Sequence, residues 1–223
     1  MIASNSSGLN TAEANALRSQ ILKAAILAAL GGALFILAIA SFSGLREFYG
    51  TESTQETIDL LDAKGGEIYA AWSIMAIGDL LVGIGIWLIS RVVARIETGR
   101  LATIALVGGR VALVACTASA LIRAYPPGWF TSAEDVASVQ TALPFVALVF
   151  LIWGAYSAAY IAIGVVLVKG QTWPTWLGIA MIVLAIPPLV MFLPLFYAVG
   201  AILLGVVLLL RRAPTPEPSR VSS

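Results

Sequence analysis

The chain alternates between long apolar runs and short polar segments. Between Lys23 and Arg46 lie 22 residues without a charge, and a helix needs about 20 apolar residues to cross the hydrocarbon core of a bilayer. Further runs follow, one interrupted only by Asp79 and the next only by Arg110. This pattern predicts membrane-spanning α-helices, because a helix satisfies its own backbone hydrogen bonds in lipid.

The last uncharged run, residues 170–210, is too long for one crossing, since it would measure about 60 Å as a single helix. Pro187, Pro188 and Pro194 interrupt helical hydrogen bonding, so the run is expected to fold back between Ile186 and Pro194. The sequence therefore predicts an all-α, polytopic membrane helical bundle. Its six transmembrane helices are expected at about 22–43, 69–90, 101–123, 145–168, 175–190 and 194–211.

Composition narrows the possible chemistry. Hydrophobic residues make up 60% of the chain, there is no histidine, and Cys116 is the single cysteine. Zinc sites, histidine-ligated haem and imidazole-based hydrolysis are therefore excluded. The 13 basic and 12 acidic residues form no basic cluster that would bind nucleic acid. No catalytic residue, metal or cofactor is expected. The expected partners are the lipid bilayer and either another membrane protein or a second copy of the chain.

Basic residues in short loops predict the orientation, because they stay on the cytoplasmic side. With the N-terminus inside, nine of them fall in cytoplasmic segments and three in outer ones. The nine are Arg18, Lys23, Arg91, Arg95, Arg100, Lys169, Arg211, Arg212 and Arg220, and the three are Arg46, Lys64 and Arg123. Both termini are thus predicted to be cytoplasmic, and the Pro- and Ser-rich residues 213–223 are predicted to be a disordered tail.

The outer segments carry helix-capping signals. Ser53 and Glu56 have the spacing of a capping box within the acidic segment 47–67, which predicts a short surface helix. Ser132 and Asp135 predict a second one. The acidic segment has two interpretations, a cation site or a loop that is only solvated, and the latter is the commoner.

Asp79 and Arg110 are the two ionisable residues placed well inside predicted spans. Each would cost about 2.5–3.5 kcal/mol in the bilayer without a partner. Counted from the inner ends of their spans, they lie about 16 and about 14 Å deep. The two spans are joined by a short loop and run antiparallel, so a salt bridge between ionised Asp79 and Arg110 is predicted near the midplane.

Trp153, Tyr156 and Tyr160 recur on one face of the fourth span at a similar depth. Tyr156 or Tyr160 is expected to hydrogen-bond the charge pair. These residues form the candidate buried polar site, which has two interpretations. They are either packing that fixes the helix register, or a site for a ligand or a proton.

The chain resembles the uncharacterised bacterial six-pass membrane family catalogued as domain of unknown function 4386. The resemblance rests on the arginine after Gly108-Gly109, on the short basic loop before it, and on Pro174-x-Trp-Leu-Gly at the start of span five. The ending LPLFYAVGAILLGVVLLLRR is also similar. It implies a bacterial inner membrane location and the six-pass fold, and it implies no activity. In that family an acid often follows the arginine by three positions, where this chain has Leu113.

Three functions are compatible with this sequence. The first is a non-enzymatic membrane module that binds a partner protein or a lipid-like small molecule, within the bundle or at its outer face. The second is a small transporter or proton-coupled carrier that uses Asp79 and Arg110. A membrane enzyme that uses an acid of the outer loop ranks last.

Overall fold

The computed structural model of the protein describes residues 11–51, 53–129, 132–170, 173–188 and 195–210. Within these ranges the chain is all-α and contains no strand, which confirms the all-α part of the predicted fold class. In chain order the helices are α1 (Thr11–Ser41), α2 (Ser43–Phe48), α3 (Thr54–Ile96), α4 (Gly99–Trp129), α5 (Ala133–Thr141), α6 (Leu143–Lys169), α7 (Thr175–Leu184) and α8 (Leu195–Leu210).

Four helices, α1, α3, α4 and α6, are long and apolar enough to cross a membrane. The apolar helices α7 and α8, with 10 and 16 residues, are each shorter than a full crossing requires. The predicted fifth and sixth spans extend in part over residues outside the described ranges. The predicted tail at 213–223 lies wholly outside them.

Helix starts follow the signals in the sequence. The Ser53 side chain accepts from the Glu56 backbone, and Glu56 accepts from the Ser53 backbone, which confirms the predicted capping box. The helix that begins there does not end on the surface. It continues into the second span after a non-helical residue, Lys64, so surface helix and span form one 43-residue element, α3. Ser132 likewise caps α5 by accepting from the backbone of Asp135.

The helices pack in a chain of neighbours. α3 contacts α1 on one side and α4 on the other, α4 contacts α6, α6 contacts α7, and α1 also contacts α8. A tight turn joins α3 to α4. Gly99, the first residue of α4, has a φ of 60°, a conformation that favours glycine. The α3–α4 hairpin therefore lies between α1 and α6.

Candidate functional site

Close backbone contacts fix the register of the helices around Asp79. A Cβ added to Gly31 of α1 would lie 2.6 Å from the carbonyl oxygen of Gly78, the residue just before Asp79. On the other side of α3, a Cβ on Gly83 would lie 2.6 Å from the Cβ of Cys116. Because glycine lets helices approach this closely, α1 and α4 enclose Asp79 from two sides.

Asp79 is 5% exposed and accepts hydrogen bonds with both carboxylate oxygens. Its Oδ2 accepts from Ser119 Oγ at 2.6 Å and from Arg123 Nε at 3.1 Å, both on α4. Its Oδ1 accepts from the Tyr156 hydroxyl on α6 at 3.3 Å. Asp79, Ser119, Arg123 and Tyr156 are called the inner polar site below. Since its charges compensate each other and its oxygens are occupied, the inner polar site is well suited to joining three helices.

Arg123 links the inner polar site to the outer end of the bundle. Its guanidinium lies over the ring of Phe35 on α1 at 5.1 Å. Its Nη1 donates to the hydroxyl of Tyr49 at 3.3 Å. Tyr49, in the segment between α2 and α3, is 53% exposed. A polar path therefore runs from the surface through Arg123 to the buried carboxylate.

A second group of hydrogen bonds lies next to the inner polar site. The ring of Tyr156 stacks on that of Tyr197 from α8, with centroids 4.6 Å apart. The Tyr197 hydroxyl donates to the carbonyl of Trp153 at 2.8 Å, and Tyr160 donates to the carbonyl of Tyr197 at 2.8 Å. These bonds tie α8 to α6 at the level of the charge pair.

Ser157 links α6 to the end of α7 through a side-chain hydrogen bond. It donates to the carbonyl of Ala185 at 2.8 Å, at the C-terminal end of α7. Pro187 and Pro188, which follow, have no backbone N–H to offer to the last turn of α7. The side chain from α6 therefore adds a hydrogen bond between helices where α7 ends.

The cavity at the inner polar site is small. It is lined by Asp79, Ser119, Arg123 and Tyr156 together with aromatic and aliphatic side chains from α1, α6 and α8. The space amounts to about 10 Å³, room for the centre of about one water molecule. Sites for drug-sized ligands measure about 300–1,000 Å³, so the inner polar site suits a water or a proton better than an organic ligand.

The predicted salt bridge between Asp79 and Arg110 is wrong. Asp79 pairs with Arg123, whereas Arg110 is exposed and forms no hydrogen bond or ion pair within the described part of the chain. A Cβ on Gly109 would lie 2.5 Å from the Cβ of Ser90. This contact places Arg110 level with Ser90, near the C-terminal end of α3. Nine residues, about 13 Å, separate Arg110 from Ser119 along α4.

The physical reason is that α3 and α4 continue past their uncharged runs. α3 extends to Ile96, six residues past the predicted inner end at Ser90 (96 − 90), and α4 starts at Gly99, two residues before the predicted end at Leu101 (101 − 99). With the turn at Gly99, Asp79 and Ser119 are each 20 residues from it (99 − 79 and 119 − 99). Gly99 was the signal that would have given the correct register.

The structure thus brings Asp79, Tyr156 and Tyr160 into one region and leaves Arg110 outside it. Sequence reasoning missed Ser119, Arg123 and Tyr197. Arg123 was assigned to the outer flank, because it follows the uncharged run of span three. A serine and a tyrosine inside apolar helices carry no signal that separates them from ordinary packing residues.

The acidic outer segment is used for structure. Glu47 pairs with Lys64 at 2.7 Å, and Glu67 accepts from the backbone of Gly44 at 3.3 Å. Among the described residues, no three or more Asp, Glu, Cys or His side chains are grouped so that they would hold a metal ion. The contacts in this segment therefore favour the solvated, structural interpretation.

The chain matches no family model, no curated protein and no solved structure. The resemblance to the six-pass family therefore stays a prediction.

Proposed function

We propose that the protein is a non-enzymatic integral membrane module that binds a membrane partner, either a protein helix or a lipid-like molecule, on the outer face of α4. The single observation that carries this proposal is the position of Arg110. It lies within the span, exposed, among the exposed apolar side chains of Val107 and Val114.

An arginine in that position favours a partner that the described residues do not supply. A charge at the centre of a bilayer costs about 2.5–3.5 kcal/mol even on a lenient scale, and the cost falls toward the headgroups. Arg123, in the same helix, is compensated by Asp79, whereas Arg110 has no acid within the described residues to offset its charge. A site for an anion or for a polar group of a neighbour on this face accounts for its presence.

The inner polar site supports the same conclusion. Its hydrogen bonds are made between helices of the chain itself, and its cavity has room for about one water molecule. Recognition is therefore better supported on the outside of the bundle than within it.

The proposed topology has six crossings, with both termini in the cytoplasm of a bacterial cell and the bundle in its inner membrane. Support for the fifth and sixth crossings comes from the apolar character of α7 and α8 and from the prolines between them. The distribution of basic residues supports the orientation. The bacterial location rests on the resemblance to the six-pass family.

Site-specific photocrosslinking in native membranes tests the proposal. Val114→p-benzoylphenylalanine on α4 is compared with the same change at Leu151 on α6, since the two side chains are 69% and 70% exposed. We expect a discrete adduct at Val114 that disappears with Arg110→Gln and persists with Arg100→Gln. Adducts that are the same at both positions, or unaffected by Arg110→Gln, would contradict it.

A proton-coupled carrier is the second candidate, because the polar path from Tyr49 through Arg123 reaches Asp79. The pair it would use is Asp79 and Arg123 in place of Asp79 and Arg110. In proteoliposomes, a carrier would lose proton flux in the doubly substituted Asp79→Asn/Arg123→Gln protein while it stays folded. If the wild type, the folded double variant and empty vesicles all give the same proton flux, this function is eliminated.

A further inference from the structure

We infer that Arg91 and Arg110 together bind the phosphate of an anionic phospholipid on the outer face of the α3–α4 hairpin. The inference rests on the proposed function and names its ligand. The two arginines are not adjacent in sequence, and the structure brings them onto one surface.

The register of the hairpin places the two arginines at one level. Ser90 of α3 and Gly109 of α4 face each other, since a Cβ on Gly109 would meet both the Ser90 side chain and the Cα of Trp87. Arg91 and Arg110 are the residues that follow them. In antiparallel helices a step of one residue, about 100°, turns both side chains to the same side of the pair.

The distance between them suits a shared anion. Helices in close contact lie about 8 Å apart, which puts the Cα atoms of Arg91 and Arg110 about 10 Å from each other. A phosphate between two arginine side chains of this spacing accepts hydrogen bonds from both. Without an anion, two like charges face one another in an apolar setting, and this arrangement is unfavourable.

Neither arginine is neutralised within the described part of the chain. Both are exposed, and neither forms an ion pair or a hydrogen bond there. The nearby Arg95 differs, because it donates to Gln20 of α1 at 3.0 Å. The Arg91 guanidinium lies over the ring of Trp87 at 5.1 Å, and tryptophan is enriched where membrane and water meet.

The apolar side chains on this face lie where acyl chains would be. Ile84 is seven residues from Arg91 on the same side of α3, and Val114 is four residues from Arg110 on α4. They are 37% and 69% exposed, and both lie further from the α3–α4 turn than the arginines. Charge near the turn and apolar surface deeper in the span match a phospholipid, with its headgroup above its acyl chains. A single carboxylate on a partner helix would match only the charge.

Lipid titration of the purified full-length protein tests the inference. The protein is placed in phosphatidylcholine nanodiscs with an increasing fraction of phosphatidylglycerol, and bound lipid is counted by native mass spectrometry after release. Arg91→Gln and Arg110→Gln are each expected to weaken retention of phosphatidylglycerol about fivefold, and the double variant more strongly. The matched control is Arg100→Gln, an exposed arginine at the turn end of α4 that lies outside this site, and it is expected to retain lipid as the wild type does.

Two results overturn the inference. One is retention of phosphatidylglycerol by the Arg91→Gln/Arg110→Gln protein at the wild-type level. The other is equal loss in Arg100→Gln, because it would show attraction to net charge without a site. Suppose that the double variant retains phosphatidylglycerol as the wild type does, and that the Val114 photoadduct contains a protein and disappears with Arg110→Gln. The lipid inference then fails and the proposed function stands. If that adduct is also independent of Arg110, both fail.

Discussion

Two arginines of α4 lie in opposite environments. Arg123 is enclosed by Asp79, Tyr49 and the ring of Phe35, so the chain supplies everything its charge requires. Arg110, thirteen residues earlier (123 − 110), is exposed between apolar side chains and forms no ion pair within the described residues. The compensated arginine contributes to the fold, whereas the uncompensated one is where we propose that a partner binds.

Removing the charge of Arg123 is expected to give the largest effect. Arg123→Gln leaves the buried carboxylate of Asp79 without a counter-ion, and breaking a buried pair in this way costs about 3–5 kcal/mol. The free energy of unfolding in mixed micelles, followed by tryptophan fluorescence, measures it. The double variant Asp79→Asn/Arg123→Gln is expected to recover much of the loss. A single variant as stable as the wild type would show that the pair does not hold the helices together.

A glycine substitution is expected to give an intermediate effect, because it tests the helix contact that positions Asp79. Gly31→Ala would put a Cβ 2.6 Å from a backbone oxygen of α3, and the resulting overpacking costs about 1–3 kcal/mol. Gly154→Ala on α6 is the matched control, because a Cβ there meets nothing within 4 Å. The same unfolding assay should find Gly154→Ala no less stable than the wild type. A Gly31→Ala protein as stable as Gly154→Ala would mean that α1 and α3 do not approach this closely.

The smallest effect is expected for Arg110→Gln, which completes the comparison with Arg123→Gln. In neutral detergent an exposed side chain without partners contributes less than about 0.5 kcal/mol to the free energy of unfolding. The variant should therefore remain as stable as the wild type while it loses the photoadduct at Val114. A loss of stability similar to that of Arg123→Gln would place Arg110 among the structural charges.

Local features of the fold were accessible from sequence, because each depends on a few neighbouring residues. The capping box at Ser53 and Glu56 and the cap at Ser132 are examples. The apolar runs likewise predicted the four long helices. Hydrophobicity marks the part of a helix that tolerates lipid, however, and does not mark where the helix ends.

The identity of the charge pair depended on where α3 and α4 end, which their apolar runs do not mark. A shift of a few residues in the α3–α4 turn exchanges one possible partner of Asp79, Arg110, for another, Arg123. Predicting the pair therefore required the register of α3 against α4, which close contacts at Gly83 and Gly109 determine. Ser119 follows once that register is known, since it then lies at the depth of the carboxylate.

The sequence distance between Asp79 and Arg123 has a consequence for biogenesis. Both residues belong to consecutive helices joined by a tight turn, so the hairpin contains the counter-ion of its own buried carboxylate. This charge pairing does not need α6, which adds only the hydroxyl of Tyr156. We therefore expect the α3–α4 hairpin to insert into a membrane as a unit, since its buried charges are paired within it.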